Sequence, residues 1–241
     1  MTTPFKLTLS IFVNNRIEPT PKNIATLMEK LNGLNKYLYL PNIIYVQNLD
    51  IAKGTTKKVA NISFSTMEGE SGIVCSDDRI DCAVNFESSA LNDKLDFCVK
   101  ALSIFTDEYD ILGNRLAINI DLYSENSLKK FFNSNAFSSL FTFYKNHTLK
   151  DWSTTANTQF GVKIDKREET VNFNTLLKSI PESPTNKRSV LCHLDINTLP
   201  TNRGYRFSSS SLKSFAQNTF SHIEKLSTEF MEIKDEDISN T

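Results

Sequence analysis

Arg79-Ile80-Asp81-Cys82-Ala83-Val84-Asn85-Phe86 alternates without a break, with Ile80, Cys82, Val84 and Phe86 on one side and Arg79, Asp81, Ala83 and Asn85 on the other. A period of two is the spacing of a strand with one buried face, because successive side chains of extended backbone point in opposite directions. The residues before it read the same way. Ile43 to Ile51, Val59 to Met67 and a region from Ile73 to Phe86 are β-like, and Lys53-Gly54-Thr55-Thr56 and Glu68-Gly69-Glu70 are turn sequences between them. Short strands joined by such turns predict an antiparallel meander.

Upstream of the meander, Leu7, Leu9, Ile11 and Val13 alternate as a further strand. Thr20 and Pro21 then form a cap and first-turn pair. The stripe Ile24, Leu27, Met28, Leu31 and Leu34 has helical spacing, weakened at its end by Gly33 and Asn35. Downstream, a second helix begins near Ser89, with the stripe Leu91, Leu95, Cys98, Val99, Leu102 and Phe105, and ends by Gly113.

The pattern then starts again. Leu116, Ile118, Ile120 and Leu122 alternate as a strand, Ser127 to Tyr144 is helical in pattern, and Gln159 to Ile164 and Val171 to Leu177 are β-like. The loop Pro181 to Arg188 precedes the strand Val190, Cys192, Leu194, Ile196. A last helix follows the Ser208 to Ser211 run with the stripe Leu212, Phe215, Ala216, Phe220, Ile223, Leu226 and Phe230. The expected fold is therefore α+β, mainly antiparallel sheet with long amphipathic helices. Two similar β-α-β-β-β-α halves, 1–112 and 113–233, share a continuous sheet or pack side by side, and an acidic tail, 234–241, frays. No residue-level repeat accompanies the repeat of pattern.

The 241 residues suit one large domain or two small ones, and 39% hydrophobic residues with seventeen Phe supply a packed core. With 27 Lys and Arg against 28 Asp and Glu, the formal charge is -1, so no global positive field gathers nucleic acid or anionic lipid. The N-terminal residues lack the pattern of a signal peptide, and no apolar run reaches membrane-spanning length. Four cysteines, Cys75, Cys82, Cys98 and Cys192, in a chain of this length read as reduced thiols of a cytoplasmic protein.

Three groups of residues have the types that chemistry needs. His193 and Asp195 share the polar side of their strand, and Asp121 lies on the polar side of an earlier one; were those strands neighbours, the three would form an acid/base group or a weak metal site. Solvated positions on an open sheet face are the plainer reading. Asp77-Asp78-Arg79-x-Asp81, with Glu87, gathers carboxylates near a hairpin without the spacing or glycine of a calcium loop; turn-forming Asp accounts for it, with Arg79 paired to one of them. Arg203 and Arg206, in the loop before the last helix, are anion-binding candidates, since helix N-termini attract negative charge. The run Phe131-Phe132 and Phe137 to Tyr144 reads as core, with an interface as the alternative.

The serine-containing strand Ile62-Ser63-Phe64-Ser65, the hairpin Asp78-Arg79-Ile80-Asp81, the helix from Leu91 and the strand start Asn114-Arg115-Leu116-Ala117-Ile118-Asn119-Ile120 follow one another in an order that resembles an uncharacterised, sporadically distributed family of bacterial proteins. The closing helix from Ser208 to Met231 fits that order, while the aromatic residue expected between Arg115 and Asn119 is missing. The resemblance implies a bacterial cytosolic origin and an accessory role in a mobile-element or phage-defence setting, and it implies no mechanism.

The sequence has no Gly-x-Ser-x-Gly elbow, phosphate loop, dinucleotide fingerprint, His-Glu-x-x-His or Cys-x-x-Cys. The expectation is thus a non-enzymatic protein that binds another protein or a copy of itself through a sheet face, a sheet edge or the Phe-rich run, with no cofactor and no metal. Metal-assisted hydrolase or nuclease chemistry at His193, Asp195 and Asp121 is the alternative, and nucleic-acid binding through Arg203, Arg206 and the lysines near Lys187 is a second.

Overall fold

A computed structural model describes residues 5–34, 36–50, 55–124, 151–181 and 189–232. The Ser127 to Tyr144 pattern with its Phe-rich run, the Lys53-Gly54 turn, Lys187 and the tail 234–241 lie outside the described residues. The strands are β1 (Phe5–Val13), β2 (Leu40–Asp50), β3 (Thr55–Ser65), β4 (Ser71–Cys75), β5 (Arg79–Phe86), β6 (Gly113–Ser124), β7 (Ser153–Ile164), β8 (Arg167–Ile180) and β9 (Ser189–Thr198). The helices are α1 (Pro21–Asn32), α2 (Leu91–Glu108) and α3 (Ser209–Glu232).

The nine described strands form one antiparallel sheet in the order β2-β3-β4-β5-β1-β6-β9-β8-β7. The alternating stretch Arg79–Phe86 is β5, and its apolar side faces the helices: Ile80, Cys82, Val84 and Phe86 are buried beside Leu7, Leu9 and Ile11 of β1. The single β-region expected from Ile73 to Phe86 is two strands, β4 and β5, because Ser76 donates its N–H to the Arg79 carbonyl and closes a turn at Asp77-Asp78. Asp and Ser supply the turn chemistry that interrupts the apolar pattern there.

The helices lie on the apolar face. α2 and α3 pack on each other, α2 over β5 and β1, α3 over β6 and β7, and α1 beside α2. Leu95, Cys98, Leu102 and Phe105 of α2 and Leu212, Phe215, Ala216 and Ile223 of α3 are buried in one core with the sheet. α1 begins as its sequence requires: the Thr20 hydroxyl accepts the Asn23 N–H at 3.2 Å, and Pro21 occupies the first turn, where its missing N–H costs nothing. The four cysteines are free and buried. Among the described residues, no helix is long and apolar enough to cross a membrane.

Two-residue alternation leaves the other face polar. It carries Lys6, Thr8 and Ser10 from β1, Asn119 and Asp121 from β6, His193, Asp195 and Asn197 from β9, and Asn172 and Asn174 from β8. At one side of the sheet, β4 ends opposite Ile62. Residues 44–50 of β2 and 55–61 of β3 therefore continue as a two-stranded ribbon beyond the rest of the described sheet.

Candidate functional site

β6 and β9 are neighbours, and their register sets Asp121 opposite His193 and Asn119 opposite Asp195. His193 Nδ1 lies 2.6 Å from Asp121 Oδ1. With the two side chains 33% and 29% exposed, water screens the pair only in part. The hydrogen bond to Asp121, that carboxylate's charge and the charge of Asp195 raise the His193 pKa, and partial burial works against them. Asp195 itself is engaged by Asn197, whose Nδ2 donates at 3.0 Å. The geometry thus joins His193 to Asp121 and leaves Asp195 as a nearby charge. Among the described residues, no group of three or more His, Cys, Asp and Glu side chains is placed to share a metal ion. Cys192, next to His193, points into the core, where burial pushes its thiol up to about 12.

The Arg203 side chain is exposed, whereas Arg206 is fully engaged. Its Nε and Nη2 donate to Glu169 Oε1 and Oε2 at 2.7 and 2.8 Å, and Nη1 donates to the carbonyls of Asn114, Asn202 and Gly204. A guanidinium fork matched to one carboxylate and three carbonyls is neutralised and fixed. Arg206 therefore fastens the loop before α3 to β8 and to the start of β6. A cleft of about 400 Å³ opens beside it, lined by Asp165, Lys166 and Arg167 of the β7–β8 turn and by Ser210 and Ser211 of α3.

The carboxylates near the β4–β5 turn separate. Asp81 pairs with Arg79 at 2.9 Å, and Asp77 sits 3.4 Å from Arg16. Arg16 also donates from Nη2 to the Ala60 carbonyl of β3, on the side that β4 no longer reaches. It stands in for the missing strand and holds the ribbon in line with the sheet.

The ribbon is the feature that reading the sequence for reactive residues passed over. Ile43, Ile44 and Val46 are each 38% exposed and Tyr45 is 60% exposed, so apolar side chains face water on both sides of β2. Lys58 Nζ lies 4.2 Å from the centre of the Tyr45 ring and covers part of one side. A contiguous apolar patch on a sheet edge marks a docking surface or an aggregation hazard. The signal was present in the sequence as Leu40-Pro41-Asn42-Ile43-Ile44-Tyr45-Val46, an apolar run that does not alternate.

No protein-family model matches this sequence, and no curated protein matches it.

Proposed function

We propose that this protein is a non-enzymatic binding or accessory subunit, working in the cytosol, whose docking surface is the β2 edge of the β2–β3 ribbon. One observation carries the reading: four successive residues, Ile43 to Val46, are exposed and apolar on a strand whose outer edge has no neighbour among the described residues. Adding a partner strand there satisfies the free backbone groups and removes those side chains from water in one step. On this reading the strand order, with β5 outside β1 and β9 outside β6, descends from two similar halves, and the long amphipathic helices bind them into a platform that presents the ribbon. The mobile-element or phage-defence setting rests on the resemblance alone.

A photo-crosslinking residue at Tyr45, compared with one at Asn157 on the opposite edge, tests the docking surface in the cells that make the protein. A discrete adduct from position 45 and none from 157 is the expected outcome; adducts from neither position remove the reading.

The 2.6 Å contact between His193 and Asp121 favours a second reading, hydrolysis in which that pair, without Asp195, helps to hold a metal ion. A melting temperature that rises with a divalent cation, and no longer rises in Asp121→Asn, would carry it, because a ligand bound only by the folded state stabilises that state.

A further inference from the structure

Which backbone groups of β2 face outward follows from the ladder. Thr66 donates its N–H to the Ser71 carbonyl, so even-numbered residues of β3 bond to β4 and odd-numbered ones to β2. With Ile43 opposite Ile62, it is Asn42, Ile44, Val46 and Asn48 that bond to β3, and Pro41, Ile43, Tyr45, Gln47 and Leu49 that point to the free edge. Two local features agree. Pro41 has no N–H to offer, as an edge proline should not, and the Ile43 N–H is taken by its neighbour's Asn42 Oδ1 at 2.9 Å. Among the described residues the free donors are then the N–H groups of Tyr45, Gln47 and Leu49, and the blunted end lies at Pro41 to Ile43.

Resting on the docking role of β2, we propose that the strand covering it is β2 of a second copy of this chain, added antiparallel about a two-fold axis through Tyr45, so that two nine-stranded sheets run on as one. In that register the two Tyr45 residues exchange both backbone hydrogen bonds. Ile43 of each copy faces Gln47 of the other, so the Gln47 N–H meets the Ile43 carbonyl, whose own N–H is already satisfied. On one face of the joined sheet Ile44 of each copy sits opposite Val46 of the other; on the other face the Tyr45 rings meet. Both sets of exposed apolar side chains are covered at once, the cross-strand pairing that stabilises sheets.

Charge and topology single out a second copy. A two-fold axis sets every charge near it against its own image; Leu40 to Asn48 of the edge strand contains no charged residue, and Lys58, one strand inward on β3, lies over the Tyr45 ring, whereas edges kept apart usually carry Lys or Glu on the edge strand itself. At the opposite edge, Ser153 to Thr158 is exposed with no large apolar side chain, so among the described residues one copy offers a single apolar edge. A single self-matching edge gives an isologous interface that closes at two subunits.

Sedimentation of the full chain from micromolar to millimolar concentration tests the pairing, together with single-cysteine variants on the β2 edge; the native cysteines are buried and leave the added thiol as the exposed one. The expected mass is twice 27.3 kDa at the upper concentrations. Tyr45→Pro, which removes a donor at an edge position that proline tolerates, loses the dimer with circular dichroism unchanged. Under oxidation Tyr45→Cys crosslinks to itself, since a hydrogen-bonded antiparallel pair sets Cα atoms about 5.5 Å apart. Ile43→Cys crosslinks to Gln47→Cys when the two variants are mixed, and neither does so alone. A chain monomeric throughout, a dimer that survives Tyr45→Pro, or crosslinks in another register overturns the pairing; should Tyr45→Pro fail to fold, the cysteine pairs decide. If the chain is monomeric while the photo-crosslinker at position 45 still captures a different protein, self-pairing falls and the docking surface stands; with no adduct at all, both fall.

Discussion

The two ends of the sheet treat the same physical problem in opposite ways. β2 leaves an apolar edge in water, and among the described residues its ribbon is tied inward by Arg16 at the Ala60 carbonyl. β7 is polar along Ser153 to Gln159, and its far end is fastened to α3 and the loop before it. There Asn218 Nδ2 donates to the Lys163 carbonyl at 2.7 Å, the Asp165 N–H donates to Ser214 Oγ at 2.9 Å, and Ser211 Oγ donates to Asp165 at 2.6 Å. Arg206 and Glu169 complete the attachment one strand inward. An edge made soluble and tied down is finished within one chain. An edge left apolar is shaped for something else to finish it.

The strongest way to break this contrast is to detach the β7 side. Arg206 and Glu169 are 6% and 12% exposed, so Glu169→Ala strands a buried guanidinium and is expected to cost about 3–5 kcal/mol in urea unfolding. On the β2 side, Arg16→Ala removes a partly exposed contact whose carbonyl water can reach, and a loss of about 1 kcal/mol is expected in the same measurement. Equal costs at the two sites would mean that the ribbon is held as firmly as the β7 hairpin.

Much of this was legible in the sequence, for reasons that differ by region. Wherever one face is buried and the other wet, as in Leu7 to Val13 and Arg79 to Phe86, the alternation is the burial pattern itself. The first part of β7, Ser153 to Thr158, gave no such signal, because both of its faces are exposed and selection for apolar residues is absent. The polar face was legible as well, since His193 and Asp195 share it by period two. That His193 meets Asp121, 72 residues away, depended on β6 and β9 being neighbours, which no local pattern encodes. The Arg206–Glu169 pair is hidden for the same reason. The apolar run of β2 could be read as strand, but its exposure follows from where β4 stops, and that is a property of the assembled sheet.

Between the edges, the His193–Asp121 pair supplies a smaller and pH-dependent effect. A histidine whose folded pKa is raised above its unfolded value of about 6.5 binds its proton more tightly in the folded state. Its stabilisation is complete below that pH and declines as pH rises through the folded value. His193→Gln should therefore be less stable than the parent near pH 6, by less than about 1 kcal/mol given the pair's exposure, with the difference shrinking as the pH is raised. A difference that grows with pH would mean that the imidazole is held neutral rather than charged.

The smallest expected change in folding stability accompanies the sharpest test of the contrast. Ser179 donates its N–H to the Trp152 carbonyl, so the even-numbered residues of β7 bond to β8, and Thr155 and Asn157 face outward as Ile43 and Tyr45 do on β2. The double change Thr155→Ile, Asn157→Tyr lies on an exposed edge and should move unfolding stability by no more than about 0.5 kcal/mol. Its effect on association should be large. One apolar edge per chain closes on its own copy; two let each chain add a neighbour at either end, and an interface that does not close grows without limit. Light scattering that climbs with concentration in the double variant, and falls back when Tyr45→Pro is added, would tie the open and closed behaviour to apolar character alone. If the variant stays a simple dimer, side-chain polarity is not what keeps β7 apart, and the fastening of its hairpin to α3 is the remaining difference between the two edges.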